Sequence, residues 1–291
     1  MADYRRRQSR KKLYSHKRDE LNEIDIPSEI SWRHKIDKVY DQKQEGSCTS
    51  NSYCSHVKAV GIQANPSRYF HYVCERLNDS KSLPVTDLGA DLFYHSAASS
   101  TGVCDENFMP YVVDENGHLI GFGKLPSPEA YANARLHIHP PLQNLTPVNL
   151  DLIVKICKSQ LAKGFLINCG FLVFASFESE AVKDSGMMPV PSAKELSQAP
   201  LGGHEVLILG ASDSKQCFEC LNSWGDWGLG GFFYMPYQFM LTRTSRGEPC
   251  VGEICTLPVA CMDVPVQEDV EALIQRSIVK LEDVLKELKA H

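Results

Sequence analysis

Residues 202–225 read GGHEVLILGASDSKQCFECLNSWG. Two apolar runs, 206–209 and 216–221, flank a short polar segment, 211–215, which is the pattern of a β-hairpin. Pairing placed symmetrically about Asp213 sets His204 directly opposite Asn222, within cross-strand reach. An amide oxygen there can hold one imidazole nitrogen, fix the tautomer and leave the other nitrogen for a nucleophile.

Further short runs with β-branched and aromatic residues, at 165–168, 171–176 and 231–235, predict more strands. Residues 177–203, rich in Pro, Ser and Met, read as a long loop. The first half differs in texture. Tyr53, Val57 and Val60 recur at helical spacing and stop at Gly61, predicting a helix over 48–60 with Ser47 as N-cap. Residues 68–77 carry a second helical pattern and 91–99 a third, ended by Gly102. A helical first half followed by a strand-rich second half is an α+β arrangement, with two lobes meeting at a cleft.

Cys48 opens the first of those helices. A helix N-terminus beside an imidazolium stabilises negative charge, so a nucleophilic role for Cys48 predicts a thiol well below the ordinary value of about 8.5. Composition fits a folded chain with a sizeable core: 43% of the 291 residues are hydrophobic and 23% charged. No run approaches the ~20 apolar residues of a membrane span, and the basic N-terminus is not followed by an apolar segment, so neither a span nor a signal peptide is expected. The eleven cysteines are odd in number and irregular in spacing, which favours reduced thiols in an intracellular, reducing compartment over a disulfide framework.

Joined in chain order, these residues match a family. Gly46-Ser47-Cys48, His204 after Gly202-Gly203, and Asn222-Ser223-Trp224-Gly225 followed by Trp227-Gly228 and Gly230-Gly231 resemble the papain family of cysteine peptidases. Ser31-Trp32-Arg33, and Gln42 six residues before Cys48, are similar to the start of a mature papain-type domain. Gly102-Val103-Cys104-Asp105-Glu106, Met188-Pro189-Val190-Pro191 and residues 232–237 look more like the branch found in bacteria and large DNA viruses. The resemblance covers residues 26–257. It implies a two-lobed α+β fold, helical N-terminal lobe against β-rich C-terminal lobe, with the active-site cleft between them. It further implies Cys48 as nucleophile, His204 as general base and acid, and Asn222 as its orienting group. Gln42 would supply a side-chain donor to the oxyanion hole beside the backbone N–H of Cys48. Trp224 would cover the His–Asn pair, and Gly89, Ala90 and Gly203 would border the bound substrate.

The sequence also departs from the family. Glu45 and Thr49 stand where the signature has a cysteine and an aromatic, so the disulfide built on that cysteine is absent. The separations from Cys48, 156 residues to His204 and 174 to Asn222, exceed the usual ones, and the loop at 177–203 absorbs the excess. The family's glycine pair is reduced to Gly89-Ala90. Gln44 rivals Gln42 as oxyanion donor, and only family spacing separates them. His137-Ile138-His139 alternates as a strand edge would and lacks a third ligand at metal spacing. Cys217 and Cys220, three apart in a strand, face opposite sides and read as buried structural residues.

Three segments result: a basic arm (1–25), a peptidase domain (26–262) and an amphipathic C-terminal helix (263–291). Residues 1–20 hold eight Lys or Arg against three acids, on a chain of formal charge −6. Such an arm can remain a solvated tail, lie across an acidic cleft in place of the long inhibitory propeptide that is not seen here, or bind an anionic partner. In the tail Ile274, Ile278, Leu281, Leu285 and Leu288 form two heptads of apolar seam, for docking on the domain or for self-association. The functional expectation is a cysteine endopeptidase acting on protein or peptide substrates through a thioester, with neither metal nor other cofactor. The alternatives are a catalytically silent binding protein and an isopeptidase or acyl transferase using the same thioester.

Overall fold

The computed structural model describes residues 26–80, 86–91 and 100–262. The basic arm, nearly all of the third predicted helix and the C-terminal helix lie outside the described residues. In chain order the framework is β1 (Glu29–Ser31), α1 (Cys48–Ala59), α2 (Arg68–Ser80), α3 (Pro128–Ala134), β2 (Gln143–Asn144), α4 (Ile153–Ala162), β3 (Ile167–Val173), α5 (Glu180–Ser185), α6 (Ala193–Leu196), β4 (Gly202–Ser212), β5 (Cys217–Leu221), β6 (Phe232–Pro236) and β7 (Val251–Thr256). The strands form one antiparallel sheet in the order β2-β7-β3-β4-β5-β6, with β1 added to β4. Among the described residues no helix is long and apolar enough to cross a membrane.

Two apolar cores flank α1. One lies on the sheet and gathers Ile153, Leu161, Phe171, Phe177, Phe233 and Phe239; the other gathers Tyr53, Phe70, Tyr72, Val73, Val103 and Leu257 on the helical side. Covered from both sides, α1 buries every residue from Thr49 to Val57, six of them polar or charged-type: Thr49, Ser50, Asn51, Ser52, Ser55 and His56. Buried polar groups are tolerable only when hydrogen-bonded. Ser50 and Ser55 bond backbone carbonyls, Thr49 bonds Glu75, and Ser52 and His56 share Asn168 on β3. The helix is thereby pinned to both lobes by directional bonds as well as by packing.

The hairpin forms, but its register is not the one the symmetric turn predicts. Ser212 pairs with Cys217 around a four-residue turn, and beyond a bulge between Ile208 and Gly210, Leu207 pairs with Leu221. Gln216, read as the first strand residue, instead closes the turn at φ +53, with its side chain donating to Asp213 O at 2.8 Å. The facing positions are therefore displaced by three residues at the turn and by two past the bulge. The two runs read separately at 165–168 and 171–176 are one strand, β3. Asn168 is held by side chains from α1 and β4, and the irregularity with β7 falls between Gly170 and Phe171. The long loop at 177–203 also holds more order than expected. It contains α5 and α6, the latter started by a Ser192/Glu195 capping box, and its final Gly202-Gly203 belongs to β4.

Candidate active site

Cys48 is the first residue of α1, where backbone N–H groups have no partner within the helix. Ser47 holds the cap position without bonding the helix backbone through its side chain. Its hydroxyl is engaged elsewhere. Tyr111 donates to Gln42 O at 2.8 Å, so the Ser47 Oγ–Tyr111 contact of 2.7 Å has Ser47 as donor, and Ser47 Oγ in turn accepts from Asn51 Nδ2 at 3.0 Å. A relay Asn51–Ser47–Tyr111 thus joins the first turn of α1 to the backbone of Gln42. Arg68 backs it, stacking on Tyr111 at 3.9 Å and donating to Asn51 Oδ1 at 2.9 Å. Sequence reasoning missed Tyr111 and Arg68, because neither lies near a motif and each acts through a long-range contact.

His204 is buried on β4, with Nε2 at 2.7 Å from Asn222 Oδ1. Asn222 Oδ1 also accepts from Ser223 N at 2.8 Å, which fixes the amide with its oxygen toward the ring. Nε2 therefore carries the imidazole hydrogen and Nδ1 the lone pair. The two residues are not directly opposite. Continuing the observed register places Val206 across from Asn222, and His204, two residues away on the same face, reaches it diagonally. Trp224 packs against the His204 ring with centroids 4.7 Å apart, and is itself backed by Phe177 and Trp227.

Gln42 is buried between two partners: its Nε2 donates to Glu45 O at 2.8 Å and its Oε1 accepts from Ser223 Oγ at 2.6 Å. Gln44, the rival, is exposed and turned toward Gly117. Gly89 lies against Gly46, where an added Cβ would come within 2.9 Å of Gly89 Cα. Ala90 packs on the helical core, and Gly203 is exposed at the start of β4 beside His204. The 137–139 segment is not a strand edge. Arg135–His137 is a short 3-10 helix, His137 Nδ1 bonds Ile62 O, and His139 is held between Tyr53 OH and Pro140 O.

All eleven cysteines are free thiols; Cys48 is half-buried and the other ten are buried. The shift at Cys48 runs opposite to the depressed thiol that helix position and a neighbouring imidazolium predict. Burial pushes Cys48 up to about 12, reinforced by the carboxylates of Glu205 and Glu75, although the backbone N–H groups of Glu205 and Thr49 favour its thiolate. Burial likewise pushes His204 down to about 4, against the opposing effect of its bond to Asn222. Desolvation thus favours the neutral thiol and the neutral imidazole, while the backbone N–H groups of Glu205 and Thr49 favour the thiolate.

No protein-family model matches the sequence. The chain is 31% identical over 230 residues to an uncharacterized peptidase C1-like protein of Acanthamoeba polyphaga mimivirus, covering 75% of this chain and 70% of that protein. Among solved structures it is similar to xylellain, a cysteine protease from Xylella fastidiosa, at a TM-score of 0.69 and 25% identity, covering 84% of this chain and 90% of that one. The fold is shared with the bromelain protease of Ananas comosus (TM-score 0.54, 18% identity, 79% and 98% covered) and with digestive procathepsin L 3 of Tenebrio molitor (0.58, 14%, 82% and 72%).

Proposed function

The chain belongs to the papain family of cysteine peptidases, and we propose that it is an active endopeptidase that hydrolyses peptide bonds through a thioester on Cys48. The observation that carries this reading is the His204–Asn222 hydrogen bond of 2.7 Å, which leaves Nδ1 as the acceptor for a proton, on the strand whose next backbone N–H meets the Cys48 sulfur. In the reading, Sγ attacks the substrate carbonyl as its proton passes to His204 Nδ1. The carbonyl oxygen takes up the displaced electron pair and is met by the Cys48 N–H and by the second Nε2 hydrogen of Gln42, the first being held by Glu45 O. Collapse to the thioester breaks the C–N bond, and the departing amine takes the proton from His204. Water then attacks the thioester, giving its proton to His204, and the thiol is restored.

Neutral resting partners fit this sequence, since the proton moves as the substrate displaces water and charge forms against preset donors. A peptide-library digest read by mass spectrometry tests the reading. Internal cleavage by the wild type and none by Cys48→Ala or His204→Ala is expected. Wild-type protein that binds peptides but leaves every library member intact would replace the peptidase by a binding protein, and cleavage confined to lysine-linked isopeptides would replace it by an isopeptidase.

A further inference from the structure

Glu45 is 3% exposed and sits three residues before Cys48, in the loop that carries Gln42. Its Oε1 accepts from Leu119 N at 2.7 Å and lies 3.4 Å from His118 Nδ1. Its Oε2 is buried and receives no donor in the neighbourhood, yet its carboxyl is in side-chain hydrogen-bond contact with the carboxyl of Asp87. Asp87 already accepts three bonds, two on Oδ1 and one on Oδ2, which leaves one acceptor site open on Oδ2. Gly46 N reaches Oδ2 at 2.7 Å, while Gly89 N at 3.2 Å and the Tyr72 hydroxyl both reach Oδ1. Two carboxylates in such contact cannot both be charged without a large repulsion, and the missing element between an undonated oxygen and an acceptor is a hydrogen.

We propose that Glu45 is protonated in the working protein and donates to Asp87, forming a one-proton clamp between the loop that holds Gln42 and Cys48 and the 87–90 segment. Both ends of the clamp bear on the site. The backbone oxygen of Glu45 fixes Gln42 Nε2, and Asp87 sets the approach of Gly46 to Gly89, whose own carbonyl accepts from Arg76 at 2.7 Å. Glu45 is therefore a positioning residue, standing where the family signature has a disulfide-forming cysteine. Burial and the Asp87 charge raise its carboxyl above the usual range, while Leu119 N and His118 oppose the rise. Tyr69 and Tyr111 also face Glu45, Tyr72 faces Asp87, and Arg76 lies near Tyr72 and on the Gly89 carbonyl. Since the folded state holds the proton more tightly than the unfolded chain, the clamp's stabilisation is full below the ordinary Glu value and is lost as pH rises through the raised one.

Glu45→Gln is the discriminating variant, because its amide can donate to Asp87 and accept from Leu119 N at every pH. Melting the full chain carrying Cys48→Ala, with and without Glu45→Gln, isolates the clamp from catalysis, so that this test stands even if the peptidase reading, on which the clamp's effect on turnover rests, were to fail. Between pH 5 and 9 the Tm of the parent is expected to fall relative to that of Glu45→Gln, by about 4 °C or more. An infrared difference spectrum of the two chains at pH 7 should carry the carbonyl band of a protonated carboxylic acid. In the otherwise wild-type enzyme, Glu45→Gln should move the alkaline fall of kcat to higher pH. Parallel Tm profiles in the two chains, or a difference spectrum with no acid band, would overturn the clamp.

Discussion

Ser223 Oγ lies 2.6 Å from Gln42 Oε1, and as the only hydrogen-bearing atom of the two it donates, turning the Gln42 amide so that its nitrogen faces the nucleophile loop. The residue beside Asn222 thus orients Gln42 while Asn222 orients His204. A single two-residue step at the end of β5 holds both side chains on which the proposed chemistry depends.

Removing the donor and removing its support should separate. Gln42→Ala is expected to lower kcat by about 10²–10³, the usual cost of one oxyanion donor, with KM little changed. Ser223→Ala leaves the amide in place but free to turn, so a smaller loss in kcat is expected, whereas Gln44→Ala should leave kcat within about twofold. Steady-state kinetics on a cleaved library peptide decide the ranking. A collapse in Gln44→Ala with normal Gln42→Ala would transfer the oxyanion role.

Alkylation reads the state of the nucleophile. Because Cys48 is half-buried and the other ten cysteines are buried, iodoacetamide should label it before them. With its thiol pushed up to about 12, the thiolate fraction rises tenfold per pH unit across the neutral range, so the logarithm of the rate should climb steadily from pH 6 to 9. A rate already flat from pH 5 upward would instead mark a preformed thiolate–imidazolium pair.

His204 makes an acid-side signature. Its folded value of about 4 lies below the ordinary 6.5, so below pH 6.5 the unfolded chain binds a proton that the native one does not. Stability from this group is complete above about 6.5 and is lost as pH falls toward 4, by roughly 3 kcal/mol in all. Urea unfolding of the wild type and His204→Phe at pH 7 and 4.5 measures it. Equal acid losses in both chains would mean His204 is charged when folded.

How far the site was legible depends on which contacts a pattern can encode. His204 and Asn222 emerged from hairpin alternation even though the register was wrong, because past the bulge the displacement was two residues and a two-residue shift keeps every side chain on its face. Gln42 could be chosen over Gln44 only by resemblance, since nothing in local sequence says which of two neighbouring glutamines turns inward. Tyr111 and the Glu45–Asp87 contact were invisible for the same reason: each joins segments far apart in the chain through loops without periodicity. Helix position and charge partners, which favour a depressed thiol, are readable in sequence, while the opposing desolvation depends on what covers α1 from the two lobes. His56 and the serines of α1 would have read as a solvated face, yet they are buried.

Glu75 brings those themes to one residue. On α2 it lies 3.5 Å from His71 with both side chains fully buried, it accepts from Thr49 Oγ1 at 2.8 Å, and Tyr53 stacks on His71 at 3.8 Å. Thr49 follows Cys48, so this pair fixes the first turn of α1 from the helical side while Glu205 approaches from the sheet. Truncation to Glu75→Ala strands a buried imidazole and hydroxyl, and a loss of about 3–5 kcal/mol is expected in urea unfolding with the m-value unchanged. Glu75→Gln keeps the Thr49 bond and should cost less. Its second effect is electrostatic: Glu75 opposes the Cys48 thiolate, so neutralising it should speed Cys48 alkylation at pH 7 even as stability declines. A less stable protein with an unchanged alkylation rate would confine Glu75 to holding the helix and leave the tuning of the sulfur to Glu205.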